Sequence, residues 1–125
     1  MEQNLKELLL KDLCGRLPYE VIVTDNRHGN SVITEIDTVS NTVYCSDFDE
    51  YVPIEKCLPY FRPLSSMTEE EKEEYENCYQ SDDTTTATLL VDFYNRKHLD
   101  YRGLIEKNLA LEAPKDMYDS SNKVD

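Results

Sequence analysis

The sequence predicts an α+β protein with an N-terminal helix, a small SH3-like β-meander or open barrel, and a helical C-terminal half. Three observations predict it. Leucines recur at helical spacing before Pro18, alternating apolar residues broken by turn signals fill the stretch from Tyr19 to about residue 62, and two capped helical patterns follow Met67. At 125 residues the chain makes one domain of ordinary size, able to bury roughly two-thirds of the surface its unfolded form exposes. That domain is expected over residues 1–118, as a helix over 1–17, a strand region over 19–62 and a helical region over 68–114, with 119–125 a frayed tail.

Asn4 followed by Glu7 has capping-box spacing, which predicts that the first helix starts there. Leu5, Leu9 and Leu13 share one face with Leu8 and Leu17 beside it, Gly15 weakens the last turn, and Pro18 ends the helix. From Tyr19 the period becomes two: YEVIVTD puts Tyr19, Val21 and Val23 on one face, and RHGN reads as a turn because His, Gly and Asn tolerate a positive φ. SVITEIDT places Val32, Thr34 and Ile36 on one side with Ile33 opposite, and SN turns the chain into TVYCS. After the acidic DFDE loop, EYVPIEKCL contains Pro53, which removes a ladder donor and confines this piece to an edge strand or a single turn. Three or four such strands make a bent meander; a flat sheet covered by the first helix is the alternative.

PYFRPLSSM is expected to leave the strand region, its two prolines favouring extended backbone. Thr68 and Glu71 form a second capping box, with Glu69, Glu70 and Glu71 in the first turn, where the helix dipole favours negative charge. The apolar face of this helix is Tyr75, Cys78 and Tyr79, so the glutamate run reads as a solvated surface. SDDTTT is a linker and N-cap region for ATLLVDFYNRKHL, which carries Leu90, Phe93 and Tyr94 on one face with Leu89 beside Phe93. Asp100 is placed to cap a short last helix that turns Leu104, Ile105 and Leu109 inward, and Asn108 suits its left-handed end. LALEAP then runs extended, and KDMYDSSNKVD beyond Pro114 is polar and frayed.

The net charge of −13 repels phosphate backbones and anionic lipid surfaces, which disfavours general nucleic-acid or membrane binding. Neither half hides a basic module: residues 1–67 carry 6 basic and 11 acidic side chains, and the remainder 7 and 15. MEQNLKELLLKDLCGRLP holds only the apolar triplet Leu8, Leu9 and Leu10 between lysines, too short for a signal-peptide core or a membrane span. Cys14, Cys45, Cys57 and Cys78 form no CxxC pair, so the expectation is a cytoplasmic chain with four reduced thiols, most of them buried, and no zinc site.

The blocks PYFRPLSSMTEEEKEEY and DFYNRKHLDYRGLIEKNLALEAP, preceded by KELLLKDLCGRLPY, resemble a family of small bacterial proteins carried in chromosomes, prophages and other mobile elements. The resemblance runs from Leu5 to about Tyr118. It implies a cytoplasmic protein associated with mobile elements and, the family having no assigned activity, transfers no catalytic residue.

No catalytic constellation is visible. His28 falls in a predicted turn and His98 at a helix end, where only tertiary packing could bring a thiol to either. Asp47, Asp49 and Glu50 lack the glycine and distal glutamate of an EF-hand loop, and three glycines cannot build a phosphate cradle. The chain is therefore expected not to be an enzyme and to need no cofactor or metal. What remains is a candidate protein-binding set, Arg96, Lys97, His98, Tyr101, Arg102 and Lys107, which gathers cations and an aromatic ring in an otherwise acidic chain. The competing reading docks Tyr101, Leu104, Ile105 and Leu109 on the core and pairs the cations with glutamates of the Thr68 helix. The function expected is a non-enzymatic protein-binding or adaptor module with a protein partner. The alternatives are an acidic nucleic-acid mimic that inhibits a DNA-binding enzyme, and nucleic-acid binding through the strand region and the basic stretch.

Overall fold

The computed structural model describes residues 2–25 and 29–118, and has the expected α+β class. The first helix, α1, spans Gln3–Arg16. The Lys6 N–H already donates to the Glu2 carbonyl at 3.0 Å, so Asn4 lies inside the first turn and the Asn4–Glu7 box is not formed. A 3-10 turn over Leu17–Tyr19 follows, with Pro18 supplying no N–H where none is needed. Leu9, Leu10 and Leu13 are buried on the sheet, with Leu5, Leu8 and Leu17 packed beside them.

Five strands follow: β1 (Ile22–Asp25), β2 (Gly29–Asp37), β3 (Thr42–Cys45), β4 (Glu50–Pro53) and β5 (Leu58–Phe61). A short β6 (Leu111–Glu112) completes an open sheet in the order β4-β3-β2-β1-β5-β6, antiparallel throughout except for the parallel β5–β6 pair. Val21 and Val23 face the core as expected, whereas Tyr19 belongs to the 3-10 turn and not to the strand. The predicted RHGN turn includes Arg27 and His28, which lie outside the described residues; Gly29 opens β2 with φ +83°.

The expected alternation in β2 is overturned. Ser31 and Ile33 point inward, Thr34 is exposed, and the register with β3 shifts between Ile33 and Glu35. One extra residue at this bulge lets Ile33 and Ile36, an odd number of positions apart, pack on the same core. Pro53 ends the edge strand β4 and leads into a 3-10 turn over Ile54–Lys56, as its missing donor requires.

The segment expected to leave the sheet is β5. Leu58–Phe61 pairs with β1 through Val23↔Pro59 and Thr24↔Leu58, and Phe61 is fully buried. Pro59 is tolerated because β6 begins pairing only at Tyr60, so β5 has no strand on that side at the proline.

Helix α2 (Glu69–Asn77) carries both halves of the Thr68–Glu71 capping box, at 3.1 and 2.9 Å. Helix α3 (Asp83–Arg96) is capped by Asp82, whose carboxylate accepts from the Thr85 N–H at 2.8 Å. Cys78, Phe93 and Leu99 form a second small core, flanked by Met67, Tyr75, Leu90 and Tyr94. Tyr79 and Leu89, expected to join the apolar faces, are exposed.

No helix follows α3 among the described residues; residues 101–110 form successive turns. His98 and Gly103 both take positive φ, which a right-handed helix cannot contain. Asp100 still caps, accepting from the Leu104 and Ile105 N–H groups at 2.8 and 2.9 Å, Leu104 and Leu109 are buried, and Asn108 takes the left-handed conformation. The chain then enters β6, so LALEAP does run extended in part.

The polar end after Pro114 is anchored rather than frayed up to Tyr118; the tail 119–125 lies outside the described residues. The Tyr118 hydroxyl accepts from the Ile22 N–H at 2.7 Å and donates to the Tyr60 carbonyl at 2.9 Å, while its ring stacks on His98 with centroids 3.7 Å apart. It thus fills the ladder where β5 leaves β1.

Candidate protein-binding surface

The six residues singled out by sequence do not form one patch. Arg96 ends α3 and meets Glu74 of α2 at 3.4 Å and Asp92, one turn earlier, at 3.9 Å. Lys97 meets the same Glu74 at 3.3 Å. His98 is buried under the Tyr118 ring, and Tyr101 stacks on Tyr94 at 4.9 Å. Arg102 reaches inward to Asp12 at 3.6 Å, and Lys107 is exposed. The stretch is tied to the body of the protein, and one glutamate of α2, Glu74, supplies part of the pairing that the competing reading expects.

A buried charge cluster that sequence periodicity concealed lies beside it. Asp12 and Arg16, one turn apart on α1, are both fully buried. Arg16 donates to Asp12 at 2.8 Å and to the Leu99 carbonyl at 2.6 Å, and its guanidinium lies 4.0 Å from the centre of the Phe61 ring. Burial lifts the Asp12 carboxyl above its usual range, against the pull of Arg16 and Arg102. This cluster docks α1 on the segment after α3.

Elsewhere the polar candidates are occupied. Asp49 accepts the Tyr44 hydroxyl, and Glu71 is buried against Arg62 at 2.6 Å, so the glutamate run is solvated only in part. The Arg62 hydrogen bonds, helped by the Thr68 N–H, hold the Glu71 carboxyl below its ordinary value against the opposing effect of burial. Of the four thiols, all free, Cys14 is exposed and Cys45, Cys57 and Cys78 are buried. Among the described residues, no three His, Cys, Asp or Glu side chains gather as a metal site requires, and no helix is long and apolar enough to cross a membrane.

The least covered surface is the outer face of α3. Only Phe93 and Asn95 of its fourteen residues are buried, while Ala87, Thr88, Val91 and Asp92 line up on the exposed side at helical spacing. Across from them, Gly15, Pro18 and Tyr19 at the end of α1 form the second wall of a groove of about 500 Å³ whose floor is Asn95. Gly15 sets this approach: a Cβ there would stand 3.2 Å from the Asn95 amide nitrogen. Tyr19 donates to Asp92 at 2.7 Å and ties the two walls together. The Asn95 carboxamide oxygen is buried without a hydrogen-bond partner among the described residues. Sequence reasoning missed these residues, although ATLLVDFYN has more apolar positions than one buried face of α3 can absorb.

No protein-family model, curated protein or solved structure matches the chain.

Proposed function

We propose that the protein is a non-enzymatic, cytoplasmic protein-binding or adaptor module associated with bacterial mobile elements, and that it binds through α3 and not through the basic stretch. One observation carries the reading: α3 turns Ala87 and Val91, the latter about two-fifths exposed, to solvent over an open groove against α1. The strand order β4-β3-β2-β1-β5, with a 3-10 turn between β4 and β5, supports the SH3-like description of the sheet that carries α1.

The two nucleic-acid readings draw less support. Glu71 and Glu74, which a phosphate mimic needs free, hold Arg62, Arg96 and Lys97, and those same pairs engage the cations that direct nucleic-acid binding needs. The test is a photo-crosslinking amino acid placed at Val91 and, as a control, at Val39 in the β2–β3 turn, which is 93% exposed. A stoichiometric protein adduct from Val91 alone in host cells is the expected result. No protein adduct from Val91 overturns binding through α3, and none from either position overturns the protein-binding reading.

A further inference from the structure

Two arginines share the buried carboxylate of Asp12, and they are held unequally. Arg16 has no exposed surface, donates to both Asp12 oxygens at 2.8 and 3.3 Å and to the Leu99 carbonyl at 2.6 Å, and lies 4.0 Å from the centre of the Phe61 ring. Arg102 stands 3.6 Å from Asp12, too far for a hydrogen bond, with its guanidinium 4.9 Å from the centre of the Tyr101 ring. Its Nη1 is buried with no hydrogen-bond partner among the described residues, while 23% of its side chain already meets solvent. A buried charged donor left unpaired is costly, and a small outward movement gives it water. Attraction to Asp12 is what offsets that cost.

The other groups around Asp12 sharpen the inequality. Asp100 faces it from the segment that carries Arg102, but engages both its oxygens with the Leu104 and Ile105 N–H groups. β5 brings the uncharged Phe61 ring against Arg16, and α3 brings the uncharged Asn95 to Gly15. With Asp12 ionised, two guanidinium groups meet two carboxylates. With Asp12 protonated, they meet one, and the two like charges repel. Arg16 is enclosed and bonded to Leu99, so Arg102 is the one free to move.

We propose that Asp12 and Arg102 form a charge latch between α1 and the turns after α3: a proton on Asp12 releases Arg102 to solvent, while Arg16 and the rest of the fold stay in place. The latch goes beyond the protein-binding reading and stands apart from it. Burial lifts the Asp12 carboxyl above its usual range, so it takes a proton at higher pH in the folded chain than in the unfolded one. The stability this proton brings is complete below the ordinary value of 3.8 and is lost as pH rises through the folded value. Acid therefore opens the latch without Asp12 itself driving the chain to unfold. Opening offers solvent an arginine and the part of the Tyr101 ring it rests on, two side chains of the kind enriched at binding hot spots.

The experiment titrates the full chain, labelled with carbon-13 and nitrogen-15, from about pH 8 to about pH 4 while the Asp12 carboxyl carbon and the arginine Nε–H signals are followed. Backbone amide signals report over the same range that the fold persists. The Arg102 Nε–H is expected to lose its protection from solvent exchange at the midpoint of the Asp12 carboxyl, and the Arg16 Nε–H to keep its own. A second arm uses Asp12→Asn near neutral pH, with a dicarbonyl reagent that modifies arginine. Arg102 is expected to react about tenfold faster than in wild type, as loss of a partly buried ion pair implies, with Arg16 unmodified. Because that substitution touches the core, the wild-type titration carries the test without it. The latch is overturned if Asp12 stays ionised throughout the range in which the chain is folded, or if Arg102 keeps its protection after Asp12 has titrated. It is equally overturned if Arg102 reacts no faster in folded Asp12→Asn, or if Arg16 is released together with Arg102.

Discussion

Arg16 donates through Nη2 to the carbonyl of Leu99 at 2.6 Å, joining the last turn of α1 to a segment 83 residues further on. The same guanidinium pairs with Asp12 and lies over Phe61 of β5, so one cation holds together the first helix, the sheet and the chain that follows α3. A buried pair of this kind costs most when only one partner is removed. Asp12→Leu and Arg16→Met are each expected to lower unfolding free energy by about 3–5 kcal/mol, whereas the double change Asp12→Leu/Arg16→Met recovers much of the loss. Urea titration of the three variants measures this, and simple additivity of the single losses is the contrary result.

Charge reversal separates two arginines that look equivalent in sequence. Arg96 makes solvent-exposed pairs, so Arg96→Glu is expected to change stability by no more than about 1 kcal/mol. Arg102→Glu sets a carboxylate against the buried Asp12 and is expected to cost far more. Thermal unfolding of the two variants side by side is the check, and equal losses contradict the placement.

Acid should loosen the start of α2. The Arg62 hydrogen bonds hold Glu71 below its ordinary value of 4.5, so between the two values the unfolded chain binds a proton that the folded chain does not. Stability from this pair is therefore complete above pH 4.5 and is lost as pH falls through the folded value. The gap in melting temperature between wild type and Glu71→Gln is expected to narrow from about pH 6 to about pH 3, and a constant gap rules the linkage out.

Thiol chemistry should single out one cysteine. Burial pushes the Cys45 thiol up to about 11 and moves Cys57 and Cys78 upward as well, while Cys14 is exposed on α1. Reaction depends on exposure and on thiolate, so native protein treated briefly with a maleimide is expected to gain one adduct, at Cys14. Peptide mass mapping that finds Cys45 or Cys57 labelled equally fast contradicts the burial.

The Tyr118 hydroxyl has a measurable share in the sheet. Tyr118→Phe keeps the ring on His98 but leaves the Ile22 N–H and the Tyr60 carbonyl without that partner. A loss of about 1–3 kcal/mol is expected, with faster hydrogen exchange at the Ile22 amide than at its neighbours in β1. Unchanged exchange at Ile22 disproves the role.

Features decided within a few residues were readable in advance. The Thr68–Glu71 box, the Asp82 cap, the edge strand ended by Pro53 and the left-handed Asn108 each depend on a local rule of backbone chemistry. What escaped depends on distant partners. Pro59 is acceptable in β5 only because β6, some fifty positions later, starts pairing one residue beyond it. The bulge in β2 breaks the period of two that was used to assign Ile33. Asp12, Arg16 and Asn95 escape notice because polarity is normally a guide to exposure, and their burial follows from helix-to-chain contacts that no spacing encodes. The basic stretch was visible as a composition anomaly, but its pairing with Glu74 and Asp12 is a tertiary fact.

The position of Tyr118 also orders events during synthesis. A chain made from its N-terminus has β1 through β5 in hand long before residue 118 leaves the ribosome. Until then the Ile22 N–H, which Tyr118 serves from 96 positions away, has only water for a partner. The nascent sheet therefore waits with a seam between its first and fifth strands until a residue 96 positions downstream of Ile22 emerges to close it.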